Sequence, residues 1–290
     1  MTCGTVVPVI GLRVALGISL SVVTASVLVT AAGPAPAASE TAAPAPPGPS
    51  ARTGALAPVP PALRPNARAL RASHLIVTRD SSGHRVLRFE SGLANVGRGP
   101  LEVRPNDNRP CPPGKQHASQ IIYRDQDRSG HFSRRHDKKV TRNSAGCMVF
   151  HPRHDHWHFE AAARYVLYKP TRRQPVVVQG RKMSFCLRDS ERAPKRWPTA
   201  NYPEYYGDCA RRTPQGISIG WVDIYQNFLP GQAIRLPDGL RAGLYCFRTV
   251  VDPQNQLVET HNDDNTSLRA FRLRGTQVTV RPDRPCRQQS

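Results

Sequence analysis

From Leu63 onward this chain never sustains the apolar period of a packed helix. Its apolar residues come in short runs cut by Gly, Pro, Asn and Asp. "HLIVTRDSSGHRVLRFESG" holds two such runs about Asp80-Ser81-Ser82-Gly83 and reads as a hairpin. "GPLEVRP", "QPVVVQGRKMSFCL", "GISIGWVDIY" and "SLRAFRLRGTQVTVRP" read as further short strands. "GLYCFRTVVDPQNQLVE" reads as a strand, a turn at Asp252-Pro253-Gln254-Asn255, and a second strand. "HFEAAARY" contains helix formers, but its β-rich flanks limit them. The expectation is an all-β fold with a β-sandwich core and long loops tied by disulfides. The polar, charge-rich stretch from Arg109 to Asn143 is expected to be a surface or functional loop.

Disulfides enter through the first segment. Val14 to Ala32 carries no charge, follows Arg13, and leads into small residues around Ala35-Pro36-Ala37. This is the pattern of a signal peptide, so the chain is expected to be secreted. Retention of the segment as an uncleaved membrane anchor is the alternative. Cys3 precedes the apolar run. The other six of the 7 cysteines are Cys111, Cys147, Cys186, Cys209, Cys246 and Cys286. An even number in an exported chain implies disulfides, and no CxxC pair points to a zinc ribbon or redox motif. Thr41 to Ala62 is proline-rich and reads as an extended linker. The expected organisation is a signal peptide over 1–38, a Pro/Ala-rich linker over 39–62, one folded domain over 63–275, and a C-terminal tail over 276–290.

The net charge of +20 is extreme for 290 residues. It suits an acidic substrate or an anionic cell-surface polymer. Nucleic acid is not expected, because no helix-turn-helix, RNP-type or zinc-finger pattern accompanies the charge.

The chemistry is concentrated in "HPRHDHWHFEAAARYVLY". His154, His156 and His158 stand at i, i+2 and i+4, which is one face of a strand. On a straight strand the outer two Cα atoms lie ~13 Å apart. Imidazoles leaning toward the middle one can still meet at a single ion, and a local bend would help. Three imidazoles in five residues point to Zn, Cu, Ni or Fe, with a coordination position left open for catalysis. His151 is off this phase and is expected to be exposed or to support the ligands from outside.

The same residues resemble the copper-binding segment of the lysyl oxidases, in which a H-x-H-x-H run precedes a strand. Two further stretches resemble that family in matching order. "GRKMSFCLRDS" is similar to the segment supplying its cofactor lysine, and "GISIGWVDIY" to the one supplying its cofactor tyrosine. "LRFESGLANVGRGPLEVRP" and "LYCFRTVVDPQNQLVETHNDDN" resemble flanking strands. The likeness runs from about Leu63 to Gly275 and is that of a bacterial-type, single-domain member. Residue by residue, it implies Cu(2+) on His154, His156 and His158. It implies Lys182 and Tyr225 as precursors of lysine tyrosylquinone. It also implies a Cys186–Cys209 disulfide. The other four cysteines stay unassigned, with Cys111–Cys147 and Cys246–Cys286 as working pairs. Arg153 and Trp221 stand where the animal enzymes carry cysteines. Family members hold Ca(2+) near the region matching Glu259 to Asn265. His261 changes that pattern, leaving Glu259, Asp264 and Asn265 as candidate ligands.

The activity implied is a copper-dependent amine oxidase of the protein-lysine 6-oxidase kind. A primary amine or lysine-containing protein condenses with the quinone, and a base removes the α-proton. An aldehyde and ammonia leave, and O2 is reduced to hydrogen peroxide. Asp223 shares a strand face with Tyr225 and is the candidate base or orienting group. A cationic amine and a basic chain repel, so Asp263 and Asp264 are expected to offset the field, or the substrate lysine to sit among acidic residues. Two other readings remain open: a zinc hydrolase that ignores Lys182 and Tyr225, and a secreted metal-binding β-sandwich adhesion module.

Overall fold

The computed structural model describes residues 59–287 apart from 107 and 198–201. The expected signal peptide and most of the linker lie outside the described residues. The strands all fall in one compact unit, Leu56–Ser290. They are β1 (Ala62–Leu63), β2 (Ala67–Ala69), β3 (Ser73–Arg79), β4 (Arg85–Asn95), β5 (Leu101–Asn106) and β6 (Lys115–Arg124). Next come β7 (Val140–His151), β8 (His156–Tyr168), β9 (Val176–Phe185), β10 (Glu191–Arg192), β11 (Gln215–Ile217) and β12 (Trp221–Tyr225). The last are β13 (Ala233–Arg235), β14 (Gly243–Val251), β15 (Thr266–Arg274) and β16 (Gln277–Arg281), followed by the short helix α1 (Arg284–Arg287). Among the described residues no helix is long and apolar enough to cross a membrane.

The strands form two antiparallel sheets. The larger has ten strands in the path β11-β5-β6-β7-β8-β14-β15-β16, with β1 on β6 and β9 on β8. The smaller has six, in the path β10-β12-β4-β13, with β2 and β3 also on β4. Alternation along β3 and β4 puts Val77, Leu87 and Phe89 inward, as expected for a sheet with one face on a core. Phe89 of the small sheet meets Tyr165 and Phe247 of the large one, each at 4.5 Å between ring centroids. The hydroxyl of Tyr165 is 2.7 Å from Ser91 Oγ on β4, so a polar bond as well as packing joins the sheets. The all-β sandwich expected from the sequence is the fold observed.

Three disulfides tie the loops: Cys111–Cys147, Cys186–Cys209 and Cys246–Cys286. The last fastens α1 to β14 beyond the β15–β16 hairpin, which turns at Gly275 with φ of 61°.

Several local readings change. The stretch 109–143 is not one loop. Its middle is β6, a ten-residue strand with central polar side chains that are buried and bonded: His117 to Asn106 and Ser144, and Gln120 to Val258. Polar residues satisfied inside a sheet carry no apolar signal. The second half of "VVDPQNQLVE" is not a strand. The Asp252 carboxylate accepts from the backbone of Gln256 and Leu257, and Gln120 accepts from Val258 N. Side chains thereby replace the ladder. "GISIGWVDIY" is two strands in different sheets. β11 pairs with β5 and β12 with β4, and the chain crosses between them at Gly220, where φ is 79°.

Candidate metal and tyrosine site

The histidines converge at the β7–β8 hairpin. His151 ends β7 and pairs with His156, the first residue of β8. Between them a four-residue turn, with Asp155 at φ of 53°, folds His154 back over the hairpin end. His154 is thus off the strand, which removes the ~13 Å spread of a straight segment. Ligand nitrogens of His154, His156 and His158 lie within 4.8 Å of one another. The His151 ring stacks on His154 at 4.0 Å and on His158 at 4.9 Å, so His151 belongs to the cluster and is not set apart from it. Its position opposite His156 across a Pro-Arg-His-Asp turn is the signal that i, i+2, i+4 phasing alone overlooks.

The donor set fits a metal. His156 Nδ1 is 2.9 Å from the His154 carbonyl, so it carries the proton and leaves a lone pair on Nε2. His158 makes its own bond to the Ser184 backbone, and its Nε2 faces His156 Nε2 at 3.1 Å. Two ligands bonded at ~2.0–2.1 Å to one ion stand about 3 Å apart. Two bare lone pairs at that distance repel, and a shared cation relieves them. His151 Nδ1 is enclosed without a hydrogen-bond partner, a further donor in want of one. Burial, then the neighbouring imidazoles, push His158 down to about 4, and burial lowers His156 too. Both rings are therefore neutral and ready to bind at neutral pH.

Tyr225 reaches this hairpin through Cys186. The Cys186–Cys209 sulfurs lie within 4.8 Å of a His156 ring nitrogen. Cys186 O is 2.7 Å from Tyr225 Oη, and Phe185 stacks on the Tyr225 ring at 3.8 Å. Phe185 pairs with Phe159, the residue after His158, so β9 spans the gap between the two sheets' contributions. Lys182 stands on β9 opposite Arg164, three residues before Phe185, or ~10 Å of strand. Between the pairs Arg164–Lys182 and Val166–Gln179 the register shifts around Gly180. Such bulges re-aim strands beside functional sites.

Asp223 shares the Tyr225 hydroxyl. Its Oδ2 is 2.7 Å from Oη, as is Cys186 O. One phenol proton cannot serve two acceptors. Both are satisfied when Asp223 is protonated and donates to Oη while Oη donates to Cys186 O. Burial pushes the Asp223 carboxyl well above the usual carboxylate range, in keeping with this. Burial and then Asp223 hold the Tyr225 hydroxyl well above the usual phenol range.

The acidic candidates lie elsewhere. Glu259 is buried, accepts from Ala67 N at 2.5 Å and from Asn265 Nδ2 at 2.7 Å, and is pushed up to about 7 by burial. Asp264 is engaged by Asn66 and Arg68 rather than free to attract an amine. Asp264 Oδ1 and Asn265 Oδ1 are enclosed without partners, a partial fit to a cation. A cavity of about 440 Å³ opens beside Trp157, walled by Arg104, Arg211 and Arg212.

A family model described as "Lysyl oxidase" matches residues 133–282, just over half of the 290. Lysyl oxidase homolog 2 of Gallus gallus is 29% identical over 138 residues, 47% of this chain and 16% of that protein. Lysyl oxidase homolog 3 of Homo sapiens is 28% identical over 136 residues, 46% of this chain and 16% of its own length. Lysyl oxidase homolog 3B of Danio rerio is 27% identical over 203 residues, 68% of this chain and 19% of its own. This chain therefore spans less than a fifth of the curated relatives it matches. The matched region includes the histidine hairpin, β9 and β12, and the chain belongs to the lysyl oxidase family.

Proposed function

We propose that this protein is an exported, copper-dependent amine oxidase that converts primary amines, foremost lysine side chains, to aldehydes. Copper would sit on His154, His156 and His158. Lys182 and Tyr225 would become the lysine tyrosylquinone, which supplies the carbonyl that captures the amine and stores its electrons until O2 takes them. The observation that carries the reading is the chain of contacts from the paired His156 and His158 nitrogens through Cys186 to the Tyr225 hydroxyl.

The protein's own groups have distinct tasks. The neutral imidazoles present lone pairs without proton competition. Asp223 donates its own proton to Tyr225 Oη and would steady the negative charge there when the phenol ionises. Phe185 fixes the plane of the tyrosine ring. The Cys186–Cys209 bridge keeps β9 against the histidine hairpin. The arginine-walled cavity beside Trp157 suits an acidic residue flanking the target lysine, which answers the charge conflict.

The test is expression with copper, quinone staining, and peptide mapping. A cross-linked peptide joining the Lys182 and Tyr225 segments, with peroxide released from a lysine peptide in air, is the expected result. Turnover without oxygen, or full activity in Tyr225→Phe, would instead fit a zinc hydrolase. Metal binding with no peroxide from any amine would fit an adhesion module.

A further inference from the structure

The loop joining β6 to β7 reads "DQDRSGHFSRRHD", from Asp125 to Asp137. Asp125, Asp127 and Ser129 stand at its first, third and fifth positions, and Gly130 at the sixth. This is the opening of a calcium loop of the EF type, D-x-[DN]-x-[DN]-G, with Ser129 in the place of a third Asp or Asn. The glycine of that pattern makes a sharp turn, and Gly130 has φ of 75°. The pattern closes with a carboxylate at the twelfth position. Here His136 is twelfth and Asp137 follows it.

The structure brings the distant ends together. Ligand oxygens of Asp125, Asp127 and Asp137 lie within 4.8 Å of one another. Asp125 and Asp137 are 4% and 0% exposed. In a chain of net charge +20, neither forms an ion pair with lysine or arginine among the described residues. Asp127 itself pairs with His136, whose Nδ1 is 3.0 Å from Asp127 Oδ2. Asp137 accepts from the backbone of Gln126 and Ser133. Asp125 Oδ2 accepts from Gly130 N, but Asp125 Oδ1 is enclosed and has no partner. An enclosed carboxylate oxygen without a donor is costly, and two buried carboxylates side by side more so.

We propose that this loop is a divalent cation site, built for Ca2+ from Asp125, Asp127 and Asp137. All the gathered donors are oxygens, the class Ca2+ and Mg2+ prefer. An irregular loop suits the variable coordination of Ca2+ better than the rigid octahedron of Mg2+. The site is separate from the histidines and from Glu259, and it stands whether or not the chain oxidises amines. Its consequence is local order. The same loop carries Phe132, which packs on Tyr123 at 4.8 Å, and Arg134, which donates to the hydroxyls of Tyr123 and Tyr206. Tyr206 in turn donates its backbone N–H to Asp189, the carboxylate that also binds Ser218 at the crossing into β12. Cation binding thus braces the strand that bears Asp223 and Tyr225 from behind.

The experiment uses the full exported chain, stripped with EGTA and titrated calorimetrically with CaCl2 and, separately, MgCl2. Expected is a saturable Ca2+ event with Mg2+ at least 10-fold weaker, and a thermal midpoint several degrees higher with Ca2+. Asp125→Asn with Asp127→Asn weakens Ca2+ at least 100-fold. The single, exposed Asp127→Asn, which leaves the buried groups untouched, weakens it at least 10-fold and keeps the proposal testable if the double variant misfolds. Glu259→Gln leaves the event in place. The proposal is overturned by no Ca2+ heat and no thermal shift in Glu259→Gln, by Mg2+ binding as tightly there, or by Ca2+ binding to Glu259→Gln that is undiminished when Asp127→Asn is added.

Discussion

Removing the Cys186–Cys209 bridge, as Cys186→Ser with Cys209→Ser, separates what this disulfide does for stability from what it does for the site. The bridged residues are 23 apart in sequence, and the chain-entropy relation gives about 3 kcal/mol for a loop of that size. For a domain of this size that is roughly a 10 °C fall in thermal midpoint. Cys246–Cys286 spans 40 residues, and its loss is worth about 4 kcal/mol by the same relation. It has no bond or ring contact with the histidines or Tyr225 among the described residues. The two double variants should therefore melt within a few degrees of each other, the second slightly lower. Their chemistry should differ. Cys186 supplies the carbonyl that receives the Tyr225 hydroxyl, and its sulfur lies beside His156. Without the bridge, β9 is free to drift from the hairpin, and copper-dependent quinone formation should drop at least 10-fold. In the Cys246–Cys286 variant it should be unchanged below the midpoint. Calorimetric melts and quinone absorbance after copper addition, both well below the lower midpoint, read the two effects. Equal quinone yields in the two variants would refute the reasoning, whatever the melts show.

Asp223→Asn keeps the shape but puts a weaker amide donor at Tyr225 Oη in place of the carboxyl's acidic proton. Quinone formation should slow by roughly 100-fold or more, with the thermal midpoint within a few degrees of native, as stopped-flow absorbance and calorimetry would show. His158 is held at about 4, below the ordinary 6.5. The unfolded chain takes its proton first, so that contribution to stability is present above about pH 6.5 and is lost as pH falls toward about 4. Urea midpoints of copper-free protein should fall across that window, and His158→Gln should flatten the fall. Glu259 has the opposite sign, because about 7 lies above its ordinary 4.5. Its neutral form suits the fold, so this contribution is complete below about pH 4.5 and is lost as pH rises through about 7. Glu259→Gln should hold its thermal midpoint better than native between pH 6 and 8; an unchanged slope would contradict the assignment.

The sandwich was legible because it rests on local signals. Alternation in β3 and β4 and the turn at Gly83 both speak within a few residues. β6 was illegible because Ser119, Gln120 and His117 are buried with polar partners that arrive from elsewhere in the chain. In the site, the three histidines were readable from spacing, while His151 needed the register of the β7–β8 pair. The Asp223 contact was anticipated from strand phase. Its competitor, the Cys186 carbonyl, is backbone and has no residue identity to read. The Asp125–Asp137 cluster was hidden in a stretch whose positive charge dominates its composition.

Lys182 and Tyr225 belong to different sheets, β9 lying in the larger and β12 in the smaller. A covalent bond formed between them would be a rivet through the sandwich. It would close a loop of about forty residues, which on chain entropy alone is worth roughly 4 kcal/mol. Maturation would then leave a mechanical signature that needs no amine and no oxygen electrode. Newly made and fully matured molecules should resolve as two populations in a single heating scan, and their ratio would date the preparation.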